Sequence, residues 1–152
     1  MHKKISSKCS SVVKIRGVQF CYSQPQLERL ARYPRELEFL GAGGEKRVYA
    51  LDEHYVLKVG RVRPEVDNWN RIHDKQYMAA IVAYNFNPSI STYWATDDSG
   101  WEVQERAVVG VDSDFDTDRL ERWGNRHGIT DLCPTINLGY VRGRAVWIDY
   151  SC

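Results

Sequence analysis

The chain has 152 residues, 43% of them hydrophobic and 12% aromatic, and a formal net charge of +1. That length suits one domain of ordinary size, able to bury roughly two-thirds of its surface without metal or disulfide support, and five Trp and nine Tyr exclude a disordered chain. No apolar run approaches the ~20 residues of a membrane span, and the opening MHKKISSKCSSVVK lacks an apolar leader core, so a cytoplasmic protein is expected.

The charge is unevenly distributed. Residues 1–35 carry eight Lys/Arg against the single acid Glu28, a local +7 that leaves −6 for the rest of the chain. They form a basic arm, residues 1–35, in front of a body spanning 36–152. Such an arm suits nucleic acid or an acidic partner, although no aromatic residues interleave with its basic ones as in RNA-binding surfaces. Cys9, Cys21, Cys133 and Cys152 stand far apart with no CxxC pair. They read as free, inert thiols and not as a zinc site.

Taken in chain order, residues 11–22 (SVVKIRGVQFCY) alternate and are rich in β-formers, which predicts a strand. Residues 25–35 open with Pro25, place Leu27, Leu30 and Ala31 on one helical face, and stop at Pro34. Residues 36–60 read as strand, glycine turn, strand, polar turn (Asp52-Glu53-His54) and strand. Pro64 begins a helix over 64–76, with Val66, Trp69, Ile72 and His73 at helical spacing, continuing toward Tyr84 before Pro88. ISTYWATDD and GWEVQERAV are two further strands around an Asp-Ser-Gly turn. A helix capped by Asp116 or Thr117 runs to about Gly124, and residues 136–152 form a hairpin turning at Arg142-Gly143. The pattern is α+β.

Three features carry chemistry. Leu40-Gly41-Ala42-Gly43-Gly44 lies between strands, where glycine backbone can approach a phosphate or simply turn a hairpin. It is not a Walker A loop, since no Gly-Lys-Ser/Thr follows. Lys58, flanked by apolar residues in Tyr55-Val56-Leu57-Lys58-Val59, must either snorkel to an edge or meet an anion, and Glu65 and Asp67 open the next helix. Asp149 emerges from the apolar run Ala145-Val146-Trp147-Ile148, a typical position for a metal ligand.

In this order the residues resemble the protein-kinase-like superfamily over about 36–152, including bacterial and phage kinase-like proteins and small-molecule phosphotransferases. The resemblance implies a five-stranded antiparallel N-lobe with one αC-like helix and a truncated C-lobe, and ATP and Mg as cofactors. Gly41, Gly43 and Val48 match the glycine-rich loop, and Lys58 matches the lysine of the third strand, with Glu65 as its helix partner and Asp67 or Asp74 as alternatives. Gln104-Glu105-Arg106-Ala107 stands where the hinge lends main-chain bonds to adenine, through Glu105 and Ala107. Asp131 matches the catalytic aspartate, Asn137 and Asp149 the magnesium ligands, and Asp149-Tyr150-Ser151 the Asp-Phe-Gly position.

The sequence also departs from that pattern. The asparagine falls six residues after Asp131, where the family has five; Gly-Ile-Thr replaces the usual His-Arg run; and Lys46 stands at the third glycine. The chain ends three residues after Asp149, before any activation segment. Two functions follow from the resemblance. One is a pseudokinase-type regulator that works by binding a partner protein or itself, as a phage inhibitor of a host protein would. The other is an active minimal phosphotransferase with Asp131 and Lys58 in catalysis. Nucleic-acid binding through the basic arm is a third.

Overall fold

The computed structural model describes residues 13–15, 18–43, 45–90, 97–109, 117–129 and 137–151. Its centre is a five-stranded, wholly antiparallel sheet built from β3 (Glu38–Ala42), β4 (Lys46–Ala50), β5 (Tyr55–Arg61), β6 (Ile81–Phe86) and β7 (Ser99–Glu105), in the order β3-β4-β5-β7-β6. The sheet and three helices make the fold α+β, as expected. Two short strands, β1 (Val13–Ile15) and β2 (Val18–Phe20), pair with each other where one strand over 11–22 was predicted.

Strand periodicity gives the sheet two chemically different faces. Tyr55, Leu57 and Val59 of β5 and Trp101 and Val103 of β7 join one buried cluster with Phe20, Leu27, Leu30 and Ala31. The last three lie on α1 (Gln24–Arg32), on the face that the sequence predicts. Ser23 and Gln26 form a reciprocal capping box at its start. Glu28 then accepts hydrogen bonds from Trp101 Nε1 at 2.6 Å and from Asn85 and Asn87, anchoring the one acid of the basic segment to the sheet. Helix α1 therefore packs into the same core as the sheet, Leu27 and Leu30 each contributing roughly 1.5–3 kcal/mol by burial.

The other face carries α2 (Arg63–Arg71), α3 (Thr117–Arg126) and the hairpin β8 (Leu138–Val141)–β9 (Arg144–Trp147). Their shared core holds Val62, Val66, Met78, Leu120, Trp123, Leu138, Trp147 and Tyr150. The hairpin turns at Arg142-Gly143 as predicted, with φ of 49° and 79°, the left-handed pair that a two-residue hairpin turn demands. Main-chain bonds then fix it from two sides. Trp147 donates to Tyr77 and receives from Ala79, while Val108 and Tyr140 exchange bonds of 2.8 and 3.0 Å.

Three sequence expectations need correction. Helix α2 ends at Arg71, and residues 81–86, read as its continuation, form edge strand β6. Ile81 and Val82 are β-branched, and pairing with β7 overrides the helical spacing. Ser99 and Gly100, read as a turn, belong to β7. Cys21 is disulfide-bonded and not a free thiol; its partner lies outside the described residues, as do Cys9, Cys133 and Cys152. Most of the strand predicted over 90–98 also lies outside them. Among the described residues no helix is long and apolar enough to cross a membrane.

Candidate functional site

The polar side of the sheet and the β8–β9 hairpin enclose a cleft of about 680 Å³. One wall is the glycine turn: Gly41 pairs with Val48, Ala42 with Arg47, and the Gly43 N–H donates to the Lys46 carbonyl at 3.0 Å. Gly44 lies outside the described residues. A Cβ added at Gly41 or Gly43 would meet nothing within 4 Å, so the main chain there is open to a ligand.

The back of the cleft is β5. Because side chains alternate, Val56 and Lys58 reach it while Tyr55 and Leu57 turn to the core. Lys58 Nζ donates to Glu65 Oε1 at 2.8 Å and to the Ile148 carbonyl at 2.6 Å. Glu65 is fully buried on the first turn of α2, placed there by the Pro64 start. Its other oxygen accepts the Tyr150 N–H at 2.7 Å. Glu65 is therefore the lysine's partner; Asp67 is exposed, and Asp74 binds Gln76.

Lys46 enters the same cluster, which the sequence does not suggest beyond its place at the third glycine. Its Nζ lies 2.6 Å from Ser151 Oγ, 3.4 Å from Asp149 Oδ1 and 3.6 Å from Glu65 Oε1. The signal was alternation: Lys46 stands two residues before Val48, hence on the same face of β4. Burial opposes its charge, but Glu65 and then Asp149 outweigh burial and hold the ammonium strongly protonated. Burial likewise pushes the Glu65 carboxyl up, and Lys46 and then Lys58 overcome it, holding that carboxyl well below the usual range.

Glu102 stands opposite Lys58 in the β5–β7 ladder and is fully buried. Neither of its oxygens accepts a hydrogen bond. Burial first, and the neighbouring Glu65 charge second, raise its carboxyl well above the ordinary value, which favours its neutral form.

The remaining predicted residues divide clearly. Glu105, Ala107, Asn137 and Asp149 all line the cleft. The Glu105 side chain is tied to the Ala80 N–H at 2.7 Å and to Arg142 Nη2 at 2.9 Å, and its own N–H donates to the Ala80 carbonyl at 2.9 Å, so neither of these groups serves a ligand. The Ala107 N–H donates to no described residue. The Asn137 carbonyl accepts the Ile148 N–H, which seats the asparagine beside Asp149. Asp131, the expected catalytic aspartate, lies outside the described residues.

The residues present suit a nucleotide. Apolar side chains (Leu40, Val48, Val56, Ala107, Val109 and Ile148) provide walls for a flat base, and two ammonium groups provide charge for phosphates. Magnesium suits them less well at Asp149 Oδ1, where it would compete with the contacts that oxygen already makes to Lys46 and Ser151. No family model matches the sequence, and no curated protein or solved structure matches it either.

Proposed function

We propose that the chain is a protein-kinase-like domain that binds a nucleoside triphosphate in this cleft. One observation carries the reading: Lys58 Nζ bridges Glu65 Oε1 and the carbonyl of Ile148, directly before Asp149. A lysine of the sheet's third strand thus meets a glutamate of the following helix and the Asp-Tyr-Ser segment at one point. The base rests against Val48, Val56 and Ala107 and bonds to the main chain of Glu105 and Ala107. The phosphates lie under the glycine turn with Lys58, whose position Glu65 fixes. Any transfer to an acceptor hydroxyl then draws on positioning and charge neutralisation, with Asp131 as the base.

ATP should raise the melting temperature of the wild-type chain, and Lys58→Met, which leaves Lys46 paired to Glu65, should abolish the rise. An equal rise in both proteins, or none in either, would sink the reading.

A partner-binding role is favoured by a separate observation: Val108 and Val109, just beyond the hinge, are 63% and 57% exposed. Light scattering would show self-association that Val108→Asp removes while the ATP response survives. A strictly monomeric wild type with no partner-dependent change would count against that role.

A further inference from the structure

Resting on that nucleotide-binding reading, we propose that the cleft holds the polyphosphate of its nucleotide without a divalent cation, Lys46 supplying at Asp149 the positive charge that magnesium would otherwise bring. Lys46 is 8% exposed at its side chain and is fixed by Ser151 Oγ, Asp149 Oδ1 and Glu65 Oε1. Lys58 Nζ lies 2.8 Å from the same Glu65 oxygen, so two ammonium groups converge on one buried carboxylate. Lys46, Lys58 and Glu65 together carry a net +1, and Asp149, its side chain 41% exposed, brings the four groups to zero. A triphosphate that displaces Asp149 therefore meets one positive charge in excess.

A divalent ion has the opposite difficulty. At the ~2.1 Å magnesium–oxygen distance from Asp149 Oδ1, it would stand no more than about 5.5 Å from Lys46 Nζ, itself 3.4 Å from that oxygen. Oδ1 also accepts from Ser151 Oγ at 2.8 Å and from the Ser151 N–H at 3.3 Å, so a metal at Asp149 would have to compete for that oxygen or take the other one. Entry of a triphosphate meets no such repulsion: its oxygens replace Asp149 on the Lys46 ammonium, and the partly exposed aspartate turns to water.

The test is calorimetric titration of the full chain with ATP, once in excess EDTA and once in excess magnesium chloride. Wild type should bind with affinities that agree within about threefold. Lys46→Met should lose about tenfold or more in EDTA and recover in magnesium, whereas Lys46→Arg should bind in EDTA like wild type. Asp149→Asn should bind in EDTA at least as tightly as wild type, since it removes a negative charge without touching a needed metal. Wild-type binding that requires magnesium overturns this proposal alone. EDTA binding unchanged in Lys46→Met, or lost in Asp149→Asn, also overturns it. Failure to bind in either buffer overturns the nucleotide reading and this proposal together. Should Lys46→Met not fold, the wild-type comparison and Asp149→Asn still decide.

Discussion

Burial raises the adjacent carboxyl groups of Glu102 and Glu65 alike and Lys46 and Lys58 lower both, but the balance tips opposite ways, because the lysines contact Glu65 and the Glu65 charge pushes Glu102 up further. Glu65 wins the ammonium contacts and ionises, while Glu102 keeps its proton. The consequence for stability follows from linkage. In the unfolded chain Glu102 titrates near its ordinary value of 4.5, and in the fold well above it. Its contribution is therefore fully present below that ordinary value and drains away as pH rises toward the folded value. Glu102→Gln keeps the shape, offers an N–H to Glu65 and removes the drain. Its melting temperature should exceed that of wild type at pH 8 by at least ~2–4 °C, about 1 kcal/mol for a chain of this size, with a smaller gap at pH 5. A variant equally destabilised at both pH values would show that Glu102 is not a neutral buried acid. Lys58 was legible in the sequence because a lysine flanked by valine and leucine needs a counter-charge, and the next helix offers one. Lys46 and Glu102 were not, since a charged residue in an alternating strand reads as solvated until the opposite face is known to be covered.

The hairpin β8–β9 owes its position under the sheet to one absent side chain. A Cβ at Gly139 would lie 2.8 Å from the Ala107 Cβ and 3.1 Å from the Val108 carbonyl, against backbone that cannot yield. Gly139→Val should therefore cost about 2 kcal/mol or more and displace the hairpin from Ala107 and Val108, weakening the proposed ATP response more than Gly143→Ala at the open turn. Equal, wild-type ATP responses in the two variants would dissociate the hairpin from the cleft. The glycine turn, the β4–β5 hairpin and the β8–β9 turn all announce themselves locally, through glycine and through alternation, and they stand where the sequence puts them. Strand β6 does not. Its run Ala79-Ala80-Ile81-Val82-Ala83 is apolar throughout and lacks a period, and only the ladder to β7 decides it. The Cys21 disulfide was equally hidden, because spacing along a chain says nothing about which sulfurs meet.

At the scale of the fold, β6 serves both buried clusters, Val82 and Ala83 packing against the one that holds α1 and Ile81 and Phe86 joining the one that holds α2, α3 and the hairpin. The cleft lies on the second face, beside the segments that flank the hairpin. Residues 40–43, 45, 46, 48, 56, 58, 104–107, 109, 137, 148, 149 and 151 come together there from five separate stretches of sequence. The most direct check of that convergence is amide hydrogen exchange of the full chain with and without ATP. Exchange should slow in 40–48, 104–109 and 148–151, while α1 and α3 keep their rates. Slowing confined to residues 1–35, or no slowing anywhere at an ATP concentration that saturates wild type, would contradict a single nucleotide cleft built from these segments.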